Sequence, residues 1–156
     1  MNRLKTKKNY CSIRALRKHS TLVYLGIGTN KGMREENISR ALSLLSSIKG
    51  IKVLKVSKMF KNPPREGVKS GYFLNGAIKL LTSVSPYELL KICKRIEKKM
   101  GRKLPGSNKK KSRIIDLDIL FYGNDIVRSK KLTIPHPMIE KRDFVLIPLL
   151  EIVNPQ

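Results

Sequence analysis

Acids are scarce in this 156-residue chain: 11 Asp and Glu stand against 34 Lys and Arg, a formal net charge of +23. Such a field attracts anions, so nucleotides and nucleic acids are both candidate partners. Cysteine is nearly absent. Only Cys11 and Cys93 occur, which excludes a disulfide framework or a cysteine-rich metal site and points to a reducing cytosol. No long hydrophobic run exists either: the longest, such as Ile114 to Tyr122, are interrupted by charge and fall well short of the roughly 20 residues of a membrane-spanning helix. A soluble protein without a membrane partner is expected. There is no G-x-x-x-x-G-K-[ST] loop, Gly26-x-Gly28 lacks the third glycine of a dinucleotide fingerprint, and no internal repeat is visible.

With 40% hydrophobic residues, the chain is the size of one domain with one core. Residues 1–20 hold seven bases and no acid, and read as a disordered basic tail, with an organelle-targeting peptide as the alternative. The expected domain is 21–156, where 27 bases against 11 acids still leave +16.

Thr21 to Ile27 is β-rich and leads into a glycine-spaced turn, Gly28 to Gly32. From Arg34 to Ile48 the apolar residues Ile38, Ala41, Leu42, Leu44, Leu45 and Ile48 recur at helical spacing. Ile51 to Phe60 alternates as one strand with a solvated face, Lys61 to Gly71 is a Pro- and Gly-containing loop, and Tyr72 to Leu81 is a strand. Ser85-Pro86-Tyr87-Glu88 announces a second helix, with Ser85 as cap, Pro86 at the first helical position and Glu88 completing a capping box. That helix runs to Gly101. Arg102 to Ser112 is a lysine-rich loop before the strand RIIDLDILF, and a turn, a short strand at Leu132 to Ile134 and a partly helical end broken near Pro148 follow. The order βαββαβ predicts an α+β, ferredoxin-like sandwich: an antiparallel sheet with both helices on one face, and a C-terminal extension.

In RIIDLDILF, strand alternation puts Asp116 and Asp118 on one face with Cα atoms about 6.6 Å apart, while Ile115, Leu117 and Ile119 anchor the other. Two carboxylates this close repel unless cations stand beside them, and Mg²⁺ suits a carboxylate pair completed by substrate phosphates. An Asp-x-Asp pair also occurs on ordinary lysine-paired surfaces. Here, though, Lys91 to Arg113 contains eleven bases and one acid, Glu97. Metal held by acids and phosphates held by bases is the division of labour of phosphoryl transfer.

These pieces together resemble one family, 6-hydroxymethyl-7,8-dihydropterin pyrophosphokinase of folate biosynthesis. LGIGTNKG, NPP, FLN at Phe73 to Asn75, RIEKKMGR, RIIDLDILFYG, LTIPHP and KRDFVLIPL occur in order from about Thr21 to Pro155. The resemblance implies a ferredoxin-like enzyme that moves diphosphate from ATP to the pterin hydroxymethyl group and releases AMP. It implies two Mg²⁺ ions at Asp116 and Asp118, and an ATP site lined by Glu97, Arg102 and Arg113. It also implies phosphate contacts from His136 and Arg142, and adenosine held near Ile119, Leu132 and Thr133. Phe73 and Phe144 would stack on the pterin, Asn75 would bond its edge, and Asn62, Pro63 and Pro64 would border it, Asn62 standing where threonine is more usual. Stacking faces plus a few fixed polar groups suit a planar heterocycle. The chain departs from the family in having Lys110-Lys111-Ser112-Arg113 in place of a Trp-Gly-Pro-Arg-like segment, and Lys103-Leu104 where a second arginine is usual.

The expected reaction is therefore in-line attack of the pterin hydroxyl on the β-phosphorus of ATP, with loops 61–71 and 102–112 as lids that exclude water. A monomer in the cytoplasm is expected, functionally linked to dihydropteroate synthase, into which some relatives continue. The rival reading is a basic RNA-binding module. It requires aromatic RNP-type motifs on the sheet, which the sequence lacks, so no nucleic-acid partner is expected.

Overall fold

A computed structural model describes residues 20–63, 71–101 and 113–153. Strand β1 (Thr21–Thr29) is central, paired antiparallel with β4 (Phe73–Thr82) on one side and β5 (Asp116–Tyr122) on the other. The far side of β4 carries β2 (Ile51–Val56) and β3 (Phe60–Asn62), giving the order β2-β4-β1-β5 with β3 continuing the β2 edge. Helices α1 (Arg34–Ser46) and α2 (Pro86–Lys99) connect the strands, β6 (Val127–Arg128) pairs with β7 (Thr133–Ile134), and α3 (Asp143–Val153) closes the described chain. This is the expected ferredoxin-like order.

Both connecting helices lie on one face, as expected. Ile38, Ala41 and Leu45 of α1 and Leu89, Ile92, Cys93 and Ile96 of α2 pack on Val23, Leu25, Ile27, Ile78, Leu80, Leu117 and Ile119. Each such side chain contributes about 1.5–3 kcal/mol of burial, so this cluster dominates the energetics of the fold. The other face is half covered by α3, whose Leu149 and Ile152 join Ala77, Leu120 and Ile139 in a smaller cluster.

Several boundaries differ from the sequence reading. β1 continues through Thr29, so Gly28 belongs to the strand and not to the turn, because its amide row is paired on both sides, with Asn75 and with Asp116. The expected strand 51–60 splits at Ser57, whose Oγ accepts the Ala77 N–H at 2.8 Å and replaces a ladder bond with a side chain. Helix α1 ends at Ser46 and not Ile48. Ser85 caps α2 through its Oγ and the Glu88 N–H, but the Glu88 carboxylate turns to Arg95 and Lys91, so the capping box is half formed. Helix α3 runs unbroken past Pro148, because Pro148, Leu149 and Ile152 are buried against the sheet and outweigh one missing amide.

A bulge in β5 refines the alternation. Its register against β1 shifts between Tyr24 and Leu25, and Leu120 and Phe121 both pack with the α3-side cluster, while Tyr122 returns to the other core. The edge formed by β2 and β3 is lysine-rich: Lys49, Lys52, Lys55, Lys58 and Lys61 recur every third residue, and all are exposed.

Candidate active site on the α3 side of the sheet

The β-ladder aligns the expected site residues in rows across the face that α3 half covers. One row runs Asn75, Gly28, Asp116; the next runs Ala77, Gly26, Asp118. Opposite both acids, β1 thus carries only glycine, which leaves a flat floor between the carboxylates and Asn75. A Cβ on Gly28 would stand 2.6 Å from Asn75 Oδ1, so the amide itself occupies that space. The sequence reading took Gly26-x-Gly28 only as an incomplete nucleotide fingerprint and Gly28 as the start of a turn, although two glycines at i and i+2 in a strand empty one face. Gly28→Ala is expected to displace Asn75, break its bond to Asn62 and cost about 1 kcal/mol, a Tm drop of about 2–4 °C that thermal unfolding checks.

Asn75 is 8% exposed, and its Nδ2 donates to Asn62 Oδ1 at 2.6 Å, which ties β4 to the end of β3. Phe73 shares its face two residues earlier, opposite Asn62. Pro63 is exposed at the end of the described segment, and Pro64 and Arg102 lie outside the described residues, as do residues 1–19 of the expected 1–20 tail, most of the expected lid 61–71 and all of the expected lid 102–112. Phe144 lies in the first turn of α3, with the Arg142 guanidinium carbon 5.8 Å from its ring centroid.

The acid end has a distinct electrostatic design. Arg113 Nη1 donates to Asp116 Oδ2 at 2.5 Å. Asp118 has its carboxyl pushed above the usual range by burial first and by the neighbouring Asp116 second, against the pull of Lys94, His136 and Arg113. Two half-buried carboxylates on neighbouring positions of one face favour an added cation. Among the described residues no cluster of three or more His, Cys, Asp or Glu side chains surrounds a metal position. Two carboxylates on a rigid strand are nonetheless the donor set Mg²⁺ takes when phosphates complete its shell, so the residues fit the ion.

Glu97 falls on the apolar face of α2, in step with Leu89, Ile92, Cys93 and Ile96. It is 1% exposed; Oε1 accepts the Leu117 N–H at 2.9 Å and Lys94 Nζ at 3.0 Å. Its carboxyl is pushed up by burial, partly offset by the Leu117 amide and Lys94. Glu97 thereby grips the peptide between the two aspartates from behind. His136 receives the Met138 N–H on Nδ1 at 3.2 Å and gives its own N–H to Leu120 O at 3.0 Å, which fastens it beside β5. Ile119 and Leu132 are the residues not brought to this face: both sit in the helix-side core, 3% and 7% exposed, and Thr133 is exposed on β7.

A ferredoxin-like sheet that presents paired carboxylates, an adjoining guanidinium and a separate amide-and-aromatic corner has the side chains a phosphoryl-handling transferase uses. The family described as 7,8-dihydro-6-hydroxymethylpterin-pyrophosphokinase matches residues 24–154. The 2-amino-4-hydroxy-6-hydroxymethyldihydropteridine pyrophosphokinase of Aquifex aeolicus is 42% identical over 130 residues, covering 83% of this chain and 79% of its own. A folic acid synthesis protein of Schizosaccharomyces pombe is 43% identical over 129 residues, 83% of this chain but 17% of that longer one. A solved HPPK-DHPS chain in complex with substrates superposes with a TM-score of 0.62 at 16% identity, over 85% of this chain and 40% of its own, a likeness of fold. The chain belongs to the 7,8-dihydro-6-hydroxymethylpterin-pyrophosphokinase family. Pyrophosphokinase chemistry in folate biosynthesis comes with that membership.

Proposed function

We propose that this chain transfers diphosphate from ATP to the hydroxymethyl group of 6-hydroxymethyl-7,8-dihydropterin in an Mg²⁺-dependent reaction. The observation that carries the residue assignment is the shared face of Asp116, Asp118 and Asn75, separated only by glycine. Asp116 and Asp118 would hold the metal, which when bound supplies neutralisation of the triphosphate and a lower pKa for the attacking hydroxyl. The hydroxyl oxygen forms a bond to the β-phosphorus, the bond from that phosphorus to the α,β-bridging oxygen breaks, and AMP departs with the electron pair. The hydroxyl proton leaves to solvent. Arg113 stands where its charge offsets the migrating group and AMP, with Arg102, His136 and Arg142 as further phosphate contacts. Phe73 and Phe144 stack on the pterin, Asn75 bonds its edge, and Asn62, Pro63 and Pro64 border it.

Glu97 supports the nucleotide end through its grip on Leu117; Ile119 and Leu132, whose side chains lie in the helix-side core, would border the adenosine through their backbone, and Thr133 through its exposed side chain. Among the described residues no helix is long and apolar enough to cross a membrane, and we place the protein in the cytoplasm as a monomer, with organellar import as the alternative. A functional link to dihydropteroate synthase is part of the same reading. Mixing protein, ATP, Mg²⁺ and the pterin and measuring AMP decides the activity: AMP formation that requires both pterin and metal is expected, and its absence removes the reading.

A further inference from the structure

Arg34, at the start of α1, is bound from two separate chain segments. Its Nε donates to Tyr72 O at 2.9 Å, its Nη2 to Asn30 O at 3.3 Å and its Nη1 to Gly32 O at 3.4 Å. The guanidinium carbon lies 4.3 Å from the Tyr72 ring centroid, and Lys61 Nζ lies 3.9 Å from the same centroid. Gly71 makes the room, since a Cβ there would stand 2.8 Å from Arg34 Nη2. Three carbonyls, one ring and one missing Cβ fit a planar guanidinium and not an ammonium.

Asn30 extends the connection. It is 2% exposed and pairs with Arg113 in both directions: its N–H donates to Arg113 O at 3.1 Å, and its Oδ1 accepts the Arg113 N–H at 2.5 Å. Tyr72 immediately precedes Phe73, and Arg113 is bonded to Asp116. A chain of contacts, Tyr72 to Arg34 to Asn30 to Arg113, therefore crosses the end of β1 and joins the start of β4 to the approach to β5.

We propose that Arg34 is a positioning residue that fixes the spacing between the acceptor side of the site, Phe73 and Asn75, and the phosphate side, Arg113 and Asp116. Its consequence for turnover rests on the pyrophosphokinase reading; its geometry does not. In-line transfer tolerates little displacement, and a misplacement of about 1 Å costs about 100-fold. When the spacing relaxes, water can take the place of the pterin hydroxyl: its oxygen bonds to the β-phosphorus, the same bridging bond breaks, and AMP and pyrophosphate form without pterin diphosphate.

The test uses Arg34→Ala, Arg34→Lys and Gly71→Ala in the full chain. Transfer in Arg34→Ala is expected to fall about 10- to 100-fold in kcat with the ATP KM little changed, and the ratio of AMP to pterin diphosphate to rise above one. Gly71→Ala should shift both readouts in the same direction by a smaller factor, and Arg34→Lys should recover only part. Hydrogen exchange of the Arg113 amide should accelerate about tenfold in Arg34→Ala, with remote sheet amides unchanged. Wild-type kcat and product ratio, or activity lost only in proportion to unfolded protein, overturn the inference. If the wild type forms no pterin diphosphate, the activity reading fails, and exchange at Arg113 alone then decides: acceleration supports the role of Arg34, and no change overturns it.

Discussion

Asp118→Asn is expected to abolish diphosphate transfer, by about a thousandfold or more, while making the folded protein more stable at neutral pH. Burial is the main reason its carboxyl resists ionisation, and Asp116 adds to it. A carboxyl whose folded pKa is raised contributes its full stability below the ordinary carboxylate range and loses it as pH rises through the raised value. Thermal unfolding of the wild type without ligands should therefore soften as pH climbs out of the acid range. Asp118→Asn removes the half-buried charge and should flatten that slope, with Tm a few degrees higher at pH 7, since about 1 kcal/mol shifts Tm by about 2–4 °C in a chain of this size. Mg²⁺ with a nucleotide should raise the wild-type Tm and leave the variant's nearly unchanged. A variant with lower Tm and retained turnover would contradict both halves.

Arg113→Ala is expected to lower kcat about a thousandfold with a smaller change in the ATP KM, the pattern of a cation that acts mainly on the transition state. The Arg113–Asp116 bond is part-buried, so its loss alone should cost little stability. Lysine at this position should recover little, because a point charge cannot reproduce a planar donor already aligned on a carboxylate. Single-turnover measurements separate the chemical step from product release. A loss below tenfold would remove Arg113 from the transition state.

Asp116 and Asp118 were legible in the sequence because a strand's period of two is a strong rule and two acids in an apolar run break composition conspicuously. Ser85 and Pro86 were legible for the same kind of reason, a local backbone preference with a known partner. What escaped was set by distant partners. The end of β1 depends on pairing with residues 45 or more and more than 80 positions away, and the break in β2 depends on one hydroxyl reaching Ala77. Arg34 looked like one base among 34, since its role comes from carbonyls at Asn30 and Tyr72 that meet only after folding. Glu97 is in step with the apolar face of α2, but that its carboxylate accepts the Leu117 amide of β5 depends on a strand 20 residues away.

The lysines at 49, 52, 55, 58 and 61 have a consequence beyond this chain's own chemistry. Among the described residues no strand pairs β2 or β3 on the side away from β4, which makes that edge a template on which a second copy could add a strand. Two such edges would face each other about 4.8 Å apart with five positive charges on each. Mutual repulsion keeps crowded molecules from zipping together, so an open-edged sheet needs no covering partner to stay dispersed. That guard is only as strong as its charge: a polyanion laid along the row would neutralise it and expose the edge it protects.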